Sequence, residues 1–199
     1  MICHRKKFIF IDICKTAGTS INKTFSKKYK CIGKHHSITN IVGDFSFCTN
    51  LTKEQIDKYF KFTFVRNPYD RIVSLWLWGV KSTYKEYNFK QFVLGIKNKK
   101  FDDHNFVRYI PMVDWLCDKS GKIRVDYIGR YENLEDDFAK VCKKVKVNKL
   151  PLEKINTAEY RNRKPRKKYW EYYDDETRDV VTEIYKKDID KFDYKFNFN

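Results

Sequence analysis

Lys15, Thr16, Thr19 and Ser20 fall in one short stretch whose other members are Ala17 and Gly18. One ammonium and three hydroxyls on a small-residue turn can hold an anion. The turn follows a mostly apolar, β-branched and aromatic run from Lys7 to Ile13, which reads as a buried strand. It precedes Ile21 and Phe25, one helical turn apart, which read as a helix. Strand, tight turn and helix together aim backbone N–H groups and the positive end of a helix dipole at a negatively charged ligand. The stretch is not a Walker A loop, because G-x-x-x-x-G-K-[ST] is absent and the lysine precedes the glycine.

A second set of such groups follows another strand pattern. Phe60 to Val65 alternates aromatic and polar residues and ends in Arg66-Asn67-Pro68, where Asn67 can cap a helix whose first position is Pro68. Ser74 lies close to two helical turns beyond Asn67 and shares its face of that helix. The guanidinium of Arg66 offers a planar fork suited to phosphate, and Ser74 adds a hydroxyl. With the first turn they form a clamp for a ligand carrying two anionic groups.

The elements that must position these residues alternate. Thr52 and Gln55 have capping-box spacing at a helix start. Val125 to Tyr131 reads as a third strand. A helix beginning at Asn133 carries Leu134, Phe138, Val141, Cys142 and Val145 on one face, and Asp174 to Lys187 reads as a final amphipathic helix. Residues 81–122 are loop-rich, with helical stretches near 89–96 and 111–118. Strands alternating with helices predict an α/β fold with a central, mainly parallel β-sheet flanked by helices. Ligands in such sheets bind beyond the carboxyl ends of the strands, so both sets are expected at one crevice.

The 199 residues suit a single domain, 1–199, with a sizeable core. A net charge of +16 points to an anionic ligand, a polyanionic partner or a highly solvated surface, with a basic concentration from Arg161 to Lys168. Six cysteines without C-x-x-C spacing read as reduced thiols, not as a zinc site. No leader pattern and no apolar run of roughly 20 residues is visible. The expectation is a soluble, cytoplasmic protein without a membrane segment.

Taken in order, I-C-K-T-A-G-T-S, F-T-F-V-R-N-P-Y-D-R-I-V-S-L-W and D-Y-I-G-R-Y-E-N-L resemble the carbohydrate-type, family-2-like sulfotransferases. The closing Y-Y-D-D-E-T-R-D-V-V-x-x-I-Y-K-K-D-I-D-K-F-D-Y resembles their C-terminal helix. The resemblance implies a P-loop-like sulfotransferase fold. It also implies transfer of a sulfuryl group from 3′-phosphoadenosine 5′-phosphosulfate (PAPS) to a hydroxyl of a carbohydrate-type acceptor, leaving adenosine 3′,5′-bisphosphate (PAP). Lys15, Thr16, Ala17, Gly18, Thr19 and Ser20 match the loop for the 5′-phosphosulfate, and Arg66 and Ser74 the pair for the 3′-phosphate. Cys14 departs from the family pattern, where proline is usual before the lysine, and the membrane anchor of Golgi members has no counterpart here.

A hydroxyl acceptor is a weak nucleophile, so a histidine near its reference pKa of about 6.5 suits the base. The family's histidine base lies between the two phosphate motifs, a stretch that here holds Lys34-His35-His36-Ser37. The K-H-x-S register favours His35, with His36 the alternative and His104, beside Asp102 and Asp103, a further one. Lys15 would stabilise charge developing on the bridging oxygen. Arg163 and Lys164, in the basic stretch, would close over the donor. No metal is expected. Two other readings compete: a P-loop-type kinase, disfavoured by the missing Walker A pattern, and a non-catalytic polyanion- or nucleic-acid-binding protein, which the charge permits but no recognised motif supports.

Overall fold

Four short segments rich in Phe and Ile pair into one sheet. The computed structural model describes residues 1–32, 51–79, 84–101, 108–148, 150–152 and 166–198. In chain order its elements are β1 (Ile2–Cys3), β2 (Phe8–Ile11), α1 (Gly18–Ser26), α2 (Lys53–Lys58), β3 (Phe60–Val65), α3 (Pro68–Gly79), α4 (Phe89–Lys97), α5 (Met112–Leu116), β4 (Tyr127–Arg130), α6 (Leu134–Lys144), α7 (Asp175–Ile184) and α8 (Lys186–Phe192). Single 3₁₀ turns cover Tyr131–Asn133 and Tyr169–Tyr172. The sheet order is β1-β2-β3-β4, with β1 antiparallel to β2 and the remaining pairs parallel. This is the mainly parallel α/β sheet expected. None of the described helices is long and apolar enough to cross a membrane.

The chain divides into two compact units. The first comprises Met1–Val65 and Met112–Arg163 and holds the sheet. Its core gathers Phe8, Phe10, Phe25, Phe62, Phe64 and Phe138 with Ile21 and Val141. Burying each such side chain stabilises the fold by about 1.5–3 kcal/mol. Phe10 and Phe62 stack with centroids 5.0 Å apart, across the register in which Phe10 faces Phe62. Gly129 lets this packing continue to β4, since a β-carbon there would lie 2.5 Å from the Phe64 ring. The polar positions of β3 are buried too. Lys61 donates its ammonium to the carbonyls of Ile56 (3.0 Å) and Tyr59 (2.8 Å), and Thr63 Oγ1 donates to the carbonyl of Ile11 at 2.8 Å. A central parallel strand is covered on both faces, so the alternation in its sequence does not mark a wet face.

The second unit comprises Arg66–Pro111 and Lys164–Asn199. Its core joins Tyr69, Ile72, Val73, Phe92, Val181 and Tyr185. Arg71 is fully buried there, its guanidinium donating to the carbonyls of Arg108 (2.9 Å) and Ile110 (3.2 Å). The buried Tyr185 donates to the carbonyl of Tyr109 at 2.7 Å, and burial pushes its phenol well above the ordinary range.

Several boundaries differ from the sequence reading. α1 begins at Gly18, three residues before Ile21, because Ala17 at φ 73° turns the chain directly into the helix. The third strand is trimmed to Tyr127–Arg130, with Tyr131 already in the 3₁₀ turn. The expected single helix over 174–187 is two helices broken at Tyr185, whose backbone (φ −106°, ψ 21°) leaves the helical region.

Candidate functional site

In the first unit the turn expected to bind an anion springs from the carboxyl end of β2. Lys15 (φ 70°) and Ala17 (φ 73°) both take left-handed backbone conformations, which fold residues 14–17 into a tight bend. Such a geometry costs a non-glycine residue on the order of 1 kcal/mol and persists where its surroundings enforce it. Thr16 is buried and donates its hydroxyl to the carbonyl of Ile13 at 2.9 Å, closing the bend on itself. Lys15 and Ala17 are half-buried and Thr19 is exposed.

The helix that follows begins without a side-chain cap. Its first backbone bond runs from Ile21 N–H to the Ala17 carbonyl at 3.2 Å, and its first turn holds no acidic residue. The N–H groups of Gly18, Thr19 and Ser20 donate to nothing among the described residues. Three orphan donors and the positive end of the helix dipole, one bend after Lys15, make up the cradle in which the sequence reading expects one anionic group.

Beneath this cradle lies Asp12, only 1 % exposed. Its Oδ2 accepts from Asn22 Nδ2 at 2.6 Å, so the carboxylate ties the strand end to the second turn of α1. Gly18 lies against Asp12 so closely that a β-carbon there would sit 1.6 Å from Oδ1. Asn22 Oδ1 is buried and has no hydrogen-bond partner among the described residues. At β4, two places across the sheet from β2, Asp137 accepts from Arg130 N–H at 2.8 Å and from the Tyr127 hydroxyl at 3.0 Å. Burial works against its charge, but the Lys140 ammonium, the Arg130 amide and the Tyr127 hydroxyl together hold its carboxyl below the ordinary range.

The second unit carries the other set. Asn67 Oδ1 accepts from Tyr69 N–H at 3.1 Å at the start of α3, the capping expected from Asn67-Pro68, while its Nδ2 donates to the carbonyl of Lys195 at 3.0 Å. Arg66 is 4 % exposed and is held by Asp70 Oδ2 through Nε (2.7 Å) and Nη2 (2.6 Å). The other oxygen of Asp70 takes Arg166. One carboxylate therefore organises two guanidinium groups at the start of a helix. Ser74 is half-buried on the same helix.

The structure thus puts Lys15, Thr16 and Ala17 in the bend and Gly18, Thr19 and Ser20 in the first turn of α1 in the first unit, with Arg66 two residues before α3 and Ser74 on α3 in the second. His35, His36, His104, Arg163 and Lys164 lie outside the described residues. Sequence reasoning missed Asp12, Asn22 and Asp70. Their positions before, within and after the motifs were visible, but a carboxylate near an anion site reads as repulsive until its partners are seen.

Comparison with known proteins follows the same outline. A family model described as the Sulfotransferase family matches residues 1–195. An uncharacterized protein of Archaeoglobus fulgidus is 39 % identical over 108 residues, a match covering 53 % of this chain and 83 % of that protein. No solved structure matches the chain.

Proposed function

The chain belongs to the sulfotransferase family, and from that membership we propose that it transfers the sulfuryl group of PAPS to a hydroxyl of a carbohydrate-type acceptor. The observation that carries the reading is the start of α1: orphan N–H groups, no first-turn acid and Lys15 on the approach. That donor set fits a phosphosulfate. It supplies several hydrogen bonds and one positive charge, and it lacks the Walker A residues a kinase would place there.

PAPS, when bound, supplies an activated sulfuryl group on a phosphate leaving group. The residues of this chain would do the rest. Gly18, Thr19 and Ser20 hold the 5′ end through their amides. Lys15 neutralises charge as it gathers on the bridging oxygen, the kind of electrostatic stabilisation that dominates transfer chemistry. Arg66, aligned by Asp70, and Ser74 take the 3′-phosphate, with Arg163 and Lys164 closing over the donor. His35, or His36 in the alternative register, accepts the acceptor's proton as the new oxygen–sulfur bond forms in line with the one that breaks. The family match over residues 1–195 supports the reading of one domain, 1–199, with a P-loop-like fold.

The test is thermal stabilisation by PAP compared with ATP-Mg and with an oligonucleotide, followed by labelled PAPS offered to a panel of saccharides. Preferential stabilisation by PAP and label transferred to a saccharide hydroxyl are expected. Preference for ATP-Mg, or for the oligonucleotide, would overturn the reading.

A further inference from the structure

The end of the sheet opposite the anion-binding turn carries a second, different basic surface. Residues 4–7 precede the amino end of β2, and the turns that close α1 and α6 come back to the same place. Three contacts fix the convergence. Arg5 and Lys6 lie over the Tyr29 ring, 5.9 and 5.5 Å from its centroid, and Lys6 Nζ donates to the carbonyl of Lys146 at 2.9 Å. Arg5, Lys28, Lys30, Lys143, Lys144 and Lys146 are exposed there.

These cations are not balanced locally. No Asp or Glu occurs in residues 1–11, 23–32 or 138–148. None of the six forms an ion pair with a described residue. In the second unit the pattern is different: Lys90 pairs with Asp174 and Glu176, Lys97 with Glu183, and Arg178 with Asp175 and Asp179. Lysines in a last helical turn complement the dipole, which accounts for Lys143 and Lys144 one by one. It does not account for two helix ends and a strand loop converging without a single acid. The surface also stands apart from the donor turn by the length of β2, roughly 13 Å at strand rise, so it is not part of that cradle.

We propose that this surface docks the protein on an anionic lipid bilayer. Five of the six cations are lysines, compact point charges suited to a fluid layer of headgroups, whereas nucleic-acid readout favours arginine forks and stacking aromatics. Tyr29 already has Arg5 and Lys6 over its ring. Ile32, two residues beyond Lys30, is 52 % exposed and adds an apolar contact at the rim. Docking is independent of the transferase reading, since none of these residues belongs to the proposed donor site.

The experiment is co-sedimentation of the full chain with phosphatidylcholine vesicles, with and without phosphatidylglycerol, across a salt series. Binding only to the phosphatidylglycerol vesicles, weakening with salt, is expected. The combined Lys28→Glu, Lys30→Glu, Lys143→Glu and Lys144→Glu variant should lose about 600-fold or more in partitioning, at about fivefold or more per lysine. A control with the same charge change in the second unit, Lys85→Glu, Lys99→Glu, Lys187→Glu and Lys191→Glu, should keep most of it. Circular dichroism melting checks that both variants fold, and PAP binding followed separately reports on the donor site alone. Failure of the wild type to sediment, or equal loss in both variants, overturns the proposal. So does patch-dependent binding of an oligonucleotide in preference to vesicles.

Discussion

Gly18 and Asp12 are so close that no β-carbon fits between them: one built at position 18 lies 1.6 Å from the carboxylate. Gly18→Ala therefore sets two effects against each other. Alanine is the better helix former by roughly 1 kcal/mol, but the overlap forces Asp12 or the start of α1 to move, at a typical cost of about 1–3 kcal/mol. The clash wins, because Asp12 is buried and tied to Asn22. Denaturant unfolding should show net destabilisation, and PAP affinity should fall with it. A variant as stable as wild type with unchanged PAP affinity would show that the carboxylate yields freely.

Asn22→Ala tests the tie itself. It removes the described donor from a buried carboxylate, and leaving such a group short of a hydrogen bond costs about 1–3 kcal/mol. Asp12→Asn with Asn22 intact removes the charge and should cost less. Urea unfolding of both variants gives the order, and a reversed order would mean that the charge of Asp12, not its hydrogen bond, holds the turn.

The fold was legible where local chemistry is self-sufficient. Thr52 and Gln55 form the capping box their spacing announced, with Gln55 N–H on Thr52 Oγ1 and Thr52 N–H on Gln55 Oε1. The aromatic run of β3 and its Asn67-Pro68 exit likewise match the sequence reading. It failed where the signal is tertiary. β1 has two residues and exists through its pairing with β2. The break at Tyr185 is hidden because the apolar spacing runs on to Ile189. The start of α1 carries no capping side chain, and the left-handed Ala17 that begins it has no sequence signature. At the candidate site, the proposed donors were named from residue type, whereas the Asp12–Asn22 and Arg66–Asp70 contacts are tertiary or side-chain pairings that residue type alone does not announce.

Arg66 and Asp70 make a separable prediction. Arg66→Ala should weaken PAP binding by about 2 kcal/mol, the loss of a charged donor to a desolvated phosphate. Adenosine 5′-phosphosulfate, which lacks the 3′-phosphate, should be far less sensitive. Asp70→Asn keeps the guanidinium but frees it from its aligning carboxylate, so its effect should have the same ligand preference and be smaller. Calorimetry with both ligands decides, and an equal loss for each would separate Arg66 from the 3′ group.

Asp174 supplies a pH-dependent step in stability. The Thr177 amide (2.8 Å) and hydroxyl (2.7 Å), then Lys90, hold its carboxyl down at about 2. Unfolded, it would titrate near 3.9. A depressed folded value means the contribution is complete above the unfolded value and is lost as pH falls from about 4 to about 2. Asp174→Ala removes an N-cap, typically worth about 1 kcal/mol. The difference in Tm between this variant and wild type should be largest near neutral pH and close progressively across that acid window. A difference independent of pH would assign the cap to neutral hydrogen bonding alone.

Lys15 and the histidine pair carry the last prediction. The Lys15 backbone is fixed in the bend between β2 and α1, so its ammonium is proposed to meet both the ground-state donor and the charge that develops on transfer. Lys15→Ala should therefore lower PAP affinity and the single-turnover rate together, since one group serves both states. A positioned base acts differently. Its loss typically costs about 10² to 10⁴ in rate without touching donor binding. His35→Ala should accordingly be slow and bind PAP normally, while His36→Ala keeps most of its rate. The measurement is single-turnover sulfuryl transfer for the three variants, with PAP affinity determined separately. An inactive His36→Ala beside an active His35→Ala moves the base by one residue. If both histidine variants turn over at the wild-type rate, neither is the base, and His104→Ala becomes the next variant to measure.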